Sequence, residues 1–238
     1  MLQIKILEEL KMENNRNHII QTVAEVMADS FKEDPGSMAM MEGIKEPEKL
    51  FMAHTLLHSS HAFQTKSLRI LDDDPHAFLI GYDSIHEKKL LERMLYMKII
   101  MKTFACLGLK NMNRMVNNMQ KVGKVLNLNW HKELVNGRHY RLKVIAVDKA
   151  LRGSGAFRRL ITPVIEYADQ NRIPVVLETH NLSNVGLYEH FGFTLVKTIT
   201  HPSTEIKQYC MIRYPEDAAV EQMELDKHDA EINLFAKN

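Results

Sequence analysis

The strongest chemical signal in the chain is Val147-Asp148-Lys149-Ala150-Leu151-Arg152-Gly153-Ser154-Gly155-Ala156-Phe157. It leaves an apolar run, passes two glycines and enters an amphipathic helical pattern with Leu160, Ile161, Val164, Ile165 and Ala168 on one side. Unsatisfied backbone N–H groups at a helix start, approached past residues without Cβ atoms, form a ready anion site. Arg152 adds positive charge beside it, so the chemistry expected there is phosphate or pyrophosphate binding. Taken alone, Arg-Gly-x-Gly weighs equally with an ordinary glycine turn before a helix. The rival phosphate motifs fit poorly. No Gly-Lys-Ser/Thr follows, and both the third glycine of a dinucleotide site and a repeated βαβ unit are missing.

A second motif lies downstream. Leu177-Glu178-Thr179-His180-Asn181 precedes Asn184-Val185-Gly186-Leu187-Tyr188-Glu189-His190-Phe191-Gly192-Phe193. With both motifs in view, Arg152-x-x-Gly155 resembles the pyrophosphate-binding start of the Gcn5-related N-acetyltransferases (GNAT). Asn184…Tyr188…Phe191-Gly192-Phe193 resembles that family's second cofactor motif. The Leu-Glu-Thr-x-Asn phrase is similar to the branch that includes puromycin N-acetyltransferase. The match covers about 140–214, under a third of the chain.

The resemblance implies roles for these residues. Ile145-Ala146-Val147 would be the strand that splays from its neighbour at a bulge and holds the pantetheine of acetyl-CoA as an added strand would. The amides of Arg152, Gly153, Ser154, Gly155, Ala156 and Phe157 would cradle the pyrophosphate, and Asn184 would bond the pantetheine arm. Tyr188 would sit near the sulfur and protonate the departing thiolate; the plain alternative is a core tyrosine. A backbone N–H after the bulge would polarise the thioester carbonyl. Arg141 and Lys143 stand on the strand where some members carry a catalytic glutamate, which leaves Glu178 as the carboxylate for deprotonating the amine. A structural pairing of Glu178 with Arg152 or a backbone N–H weighs equally with that role. His139 and His180 are weaker candidates for the base.

The elements that must position these residues follow from periodicity. Helical spacing covers His18–Phe31 and 47–63. Ser67–Leu71 and His76–Tyr82 read as antiparallel strands around Asp72-Asp73-Asp74-Pro75. Tyr140–Val147 reads as a strand and Ile173–Leu177 as a short buried one. Asn184–His190 reads as a brief helix, and Phe193–Thr200 and Ile206–Tyr214 as a final strand pair. Between 87 and 125 two methionine-rich stripes (Leu90, Met94, Met97, Met101, Phe104, then Met112, Met115, Met119, Val122) flank Gly108 and predict a helical hairpin. The stripes are expected to be core rather than a lid, with the loop around Gly108 to Asn113 bordering the acceptor entrance.

The expected fold is therefore α+β: a GNAT-like mixed, mostly antiparallel sheet with splayed central strands, flanking helices and a helical insertion. The chain divides into an N-terminal extension at 1–17, one acyltransferase domain at 18–215 and an acidic tail at 216–238.

Composition narrows the function classes. The formal net charge of +1 gives no general pull toward nucleic acid or a membrane. Two distant cysteines argue against a disulfide framework and against a metal site. The charged N-terminus is unlike a signal peptide, so a cytoplasmic location is expected. The function expected is transfer of acetyl from acetyl-CoA to a primary amine of a small molecule, with a homodimer left open. The alternatives are a protein or peptide N-acetyltransferase, a non-catalytic acyl-CoA-binding domain, or an unrelated α+β protein whose glycine loop binds another anion.

Overall fold

The computed structural model describes the backbone of residues 2–216 and the side chains of 13–107 and 112–216. The expected tail at 216–238 lies outside the described residues beyond Glu216. Among the described residues, six α-helices and six strands follow the order α1 (Leu2–Phe31), α2 (Pro35–Met41), α3 (Pro47–Gln64), β1 (Leu68–Leu71), β2 (Asp74–Asp83), α4 (Lys89–Gly123), β3 (Tyr140–Val147), α5 (Ala156–Gln170), β4 (Val175–Thr179), α6 (Ser183–Glu189), β5 (Thr194–His201) and β6 (Thr204–Arg213). The strands form one sheet in the order β1-β2-β3-β4-β6-β5. Only β3 and β4 run parallel, and the segment between them carries α5 across one face. This is the mixed, mostly antiparallel α+β architecture expected from the pattern. Among the described residues no helix is long and apolar enough to cross a membrane.

Both sheet faces are covered, which is why β2 and β3 are apolar almost throughout. On one face Ala77, Leu79, Leu142 and Leu177 pack against Leu160, Ile161 and Val164 of α5. On the other, Phe78, Ile80 and Ala146 meet Val23, Val26 and Met27 of α1 and Ala62 of α3. One residue controls which side chains of β3 reach which face. Ile80 pairs with Val144 and Gly81 with Leu142, so Lys143 is left over as a bulge. The extra residue inverts the alternation: Leu142 faces α5, whereas Val144 and Ala146 face α1 and α3.

The helical part departs from expectation in three places. First, α1 runs through the expected extension without a break. Second, Asp34-Pro35-Gly36 starts a short helix, α2, between the two expected ones. Asp34 Oδ1 accepts from the amides of Gly36 and Ser37 at 3.0 and 3.1 Å, and Pro35 occupies the first helical position. Third, the expected hairpin is one continuous helix, α4, which passes through Gly108. The stretch from Gly108 to Asn113 is thus helix, not a loop at an entrance. The first methionine stripe is not core either. Met97 is 59% exposed and Met101 67%, whereas Met115 on the second stripe is 2% exposed beside Ile44 and Leu50.

Candidate active site

The site begins where β3 and β4 stop pairing. Tyr140 lies opposite Val175 and Arg141 opposite Val176, and no later pair joins the two strands. β3 continues beside β2 as far as Val147, and β4 beside β6 as far as Thr179. A wedge therefore opens between Leu142–Val147 and Leu177–Thr179, and the wedge-side backbone of Ile145–Val147 has no strand partner. The expected splay and bulge are both present.

A cavity of about 700 Å³ fills the α6 side of this wedge. Ile145, Ala146, Val147, Arg152, Gly153, Gly155, Ala156, Phe157, Asn184 and Tyr188 all line it, so ten of the residues singled out for cofactor binding come together. Gly153 and Gly155 have φ of +80° and +81°, a region in which side chains are strained. That conformation turns the loop so that the first turn of α5 opens on the cavity. No side chain caps this helix, and its leading amides lack intrahelical acceptors.

The cradle is narrower than expected. The amide of Arg152 donates to Lys149 O at 3.3 Å and that of Ser154 to Leu151 O at 3.3 Å. Ser154 Oγ also donates to Leu151 O, at 2.6 Å, and Ser154 does not line the cavity. The amides that remain for an anion are those of Gly153, Gly155, Ala156 and Phe157. Open space lies where a Cβ on either glycine would project. The residues present therefore fit a diphosphate at the loop and an extended amide-bearing arm along β3.

The aromatic side chains at the helix start form a cluster. The Phe157 ring packs on Tyr188 and Phe191, with centroids 5.9 and 5.4 Å away, and Tyr188 packs edge-on to Phe193 at 5.6 Å. Burial pushes the Tyr188 phenol up to about 12, so it keeps its proton across the neutral range. Asn184 Nδ2 donates to Thr179 Oγ1 at 3.2 Å, fixing α6 to the end of β4.

Glu178 is placed elsewhere. It borders a second cavity, of about 780 Å³, under α3 and α4. Arg141 Nη2 donates to its Oε1 at 3.0 Å and Trp130 Nε1 to its Oε2 at 2.9 Å. Both oxygens are thus engaged, and the pairing partner is Arg141, not Arg152. His139 and His180 line neither cavity; the Nδ1 atoms lie 3.0 Å from Gly137 O and Lys207 O respectively.

The second cavity contains side chains that no motif marked. Tyr82, Glu92, Tyr96, His58 and Lys143 all face it. The Lys143 ammonium pairs with Glu92 of α4 and sits 5.1 Å over the Tyr82 ring. Burial, with Lys143 next in effect, holds His58 down to about 4, and burial raises the phenols of Tyr82 and Tyr96. Tyr82 Oη and Arg141 Nε are buried without a hydrogen-bond partner, a state that ordinarily calls for a ligand or water. These groups meet only because α3 and α4 cross the same sheet face, which a linear motif cannot encode.

Residues 117–193 match the model of the acetyltransferase (GNAT) family. That stretch is GNAT-like in sequence. An uncharacterised N-acetyltransferase of Schizosaccharomyces pombe is 36% identical over 77 residues, which is 32% of this chain and 31% of that protein. The match thus spans about a third of the relative's length. Two crystal structures share the fold over most of the chain. That of "histone acetyltransferase HPA2 and related acetyltransferase" from Corynebacterium glutamicum has a TM-score of 0.51 at 14% identity, covering 82% of this chain and 91% of that one. Arylalkylamine N-acetyltransferase 2 from Aedes aegypti has a TM-score of 0.50 at 13% identity, covering 85% of this chain and 95% of its own. The GNAT match includes the bulge, the glycine loop and the Asn184–Phe193 motif. The puromycin acetyltransferase branch has no support among these relatives.

Proposed function

We propose that this chain transfers an acetyl group from acetyl-CoA to a primary amine of a small molecule, by direct attack in a ternary complex. The observation that carries this reading is the meeting of two cavities on one strand. Ile145–Val147 line the first and Arg141, Lys143 and Val144 the second, so the two abut at the Lys143 bulge. One site can hold the donor and the other the acceptor, with the reacting atoms at the wedge between them.

The amides of Gly153, Gly155, Ala156 and Phe157 would hold the pyrophosphate, the free edge of Ile145–Val147 the pantetheine amides, and Asn184 the arm. Acetyl-CoA supplies the activated acyl group as a thioester. The amine attacks in its neutral form: its nitrogen forms the new C–N bond as the C–S bond breaks, Tyr188, still protonated, gives its proton to the leaving thiolate, and the proton shed by the nitrogen returns to the Tyr188 phenolate. Glu178 serves structure rather than proton transfer, because both its oxygens are already engaged. A walled acceptor cavity of about 780 Å³ is in the range of small-molecule sites, which favours a small amine over a protein surface.

The test is thiol release from acetyl-CoA with a panel of small primary amines and short peptides bearing free N-termini. Turnover with a small amine and little with the peptides is the expected result. Turnover with peptides alone would replace the acceptor class. Acetyl-CoA binding without turnover across the panel would favour a non-catalytic binder.

A further inference from the structure

The first half of α4 shows its apolar residues to solvent, on the side away from the body. Leu90, Met94, Met97, Met101 and Phe104 follow a four–three–four–three spacing that keeps them on one helical face. With Ile100 beside them, they are 47–70% exposed. The inward face of the same turns is occupied separately. Glu92 pairs with Lys143, Leu95 is buried, and Thr103 Oγ1 lies 2.7 Å from His54 Nε2 on α3. Further along, Met115 and Val122 continue the outer stripe's helical face but are buried. There the chain around α2 closes over them: Asn118 Nδ2 donates to Met40 O and Glu42 O, and Arg114 Nη1 to Gly43 O. The same face is thus apolar in both halves of the helix, and the protein covers Met115 and Val122 in the second half, where Met119 stays 45% exposed.

Charge decides what suits the uncovered half. Between Lys88 and Leu107 there are five bases and one acid, and that acid, Glu92, is turned inward to Lys143. Lys88, Lys89, Arg93, Lys98 and Lys102 are all exposed. Lys98 and Lys102 lie on one shoulder of the stripe and Arg93 near the other, so their stems pass along the apolar band and their heads sit at its edges. A second copy seated on this stripe would bring Arg93 and Lys98 against the same cations of its mate, which is repulsive. An apolar strip with cationic shoulders and no outward acid matches an interfacial helix.

We propose that the outer face of α4 from Leu90 to Phe104 docks on an anionic lipid surface, with the apolar side chains entering the headgroup layer and the shoulder bases bonding lipid phosphates. The chain's near-neutral total hides this feature, because the excess of bases is local to one helix.

The experiment is co-sedimentation of the full chain with phosphatidylglycerol–phosphatidylcholine vesicles and with phosphatidylcholine alone. Binding to the anionic vesicles, weakened by salt, is expected. Met97→Gln with Met101→Gln, and separately Lys98→Gln with Lys102→Gln, should each lower the partition coefficient about tenfold or more while leaving Tm unchanged, since all four side chains are exposed. Failure to sediment with anionic vesicles at low salt would overturn the proposal. So would equal binding by both double variants, or a dimer in solution that the methionine pair splits.

Discussion

Arg141 Nη2 and Glu178 Oε1 lie 3.0 Å apart, Arg141 being the last residue of β3 paired to β4 and Glu178 standing two residues beyond its partner Val176. Both side chains are largely buried, at 10% and 16% exposure, so the ion pair pins the apex of the wedge from one face. Removing one partner of such a pair leaves the other charge stranded. Glu178→Ala should therefore lower unfolding stability by about 3 kcal/mol. In the folded fraction, the pH dependence of kcat/KM should stay in place. A large loss of kcat at unchanged Tm would instead make Glu178 the base.

The glycine loop gives a paired prediction. Gly155→Glu places a side chain where φ is +81° and a carboxylate beside the free amides, so calorimetry should detect no acetyl-CoA binding. Ser154→Ala should bind normally, because Ser154 Oγ is turned to Leu151 O. Loss of affinity in the serine variant would mean that the anion sits elsewhere on the loop.

Tyr188→Phe should lower kcat about tenfold or more and leave the Kd for acetyl-CoA little changed. Because burial lifts this phenol to about 12, it does not titrate near neutrality, and any limb of the wild-type pH profile below about 9 should survive in the variant. A disappearing limb would contradict the assignment.

Acid stability follows from two imidazoles, His131, which is buried, and His58, which is half-buried. His58 and His131 are each held from 6.5 down to about 4, chiefly by burial. Their folded pKa lies below the unfolded one, so the unfolded chain binds protons first as pH falls. Stability should decline between about 6.5 and 4. His58→Gln should flatten part of that decline in urea midpoints measured across this window.

The two halves of the α4 stripe should respond differently to truncation. Met115→Ala should cost about 2–5 kcal/mol, whereas Met97→Ala should stay within about 0.5 kcal/mol. Equal losses at both positions, read from denaturant midpoints, would mean that the first half is covered in solution.

That contrast marks where sequence reading stopped working. The spacing of Leu90, Met94, Met97, Met101 and Phe104 identifies a face, but periodicity carries no information about whether anything covers it. Gly108 suggested a break, yet a glycine lowers helix stability by only about 1 kcal/mol, which packing along α4 can offset. The central strands were legible because burial on both faces favours long apolar runs, as in Val144–Val147 of β3 and Val175–Leu177 of β4; Tyr140–Val147 matches β3 from end to end. Most of the donor-side cavity was legible because its residues lie on one local strand–loop–helix unit and the short helix after it; Asp29, Ser30, Phe31, Glu33 and Asp34, which also line it, carried no motif. The acceptor-side groups, such as His58, Tyr82, Glu92 and Lys143, come from four different elements, α3, β2, α4 and β3, and share no linear motif; only tertiary packing joins them.

β2 and β3 are neighbours in the sheet, yet the chain leaves at Asp83 and returns at Tyr140, with α4 in between. β5 and β6, by contrast, are joined by a tight turn. Pairing over the long excursion carries the larger closure entropy, so the β5–β6 hairpin should form early and the β2–β3 ladder late. Until that late step the wedge has only one of its sides. The Lys143–Glu92 pair, linking β3 to the excursion itself, would then belong to the last stage of assembly, and its removal should speed unfolding more than it slows folding.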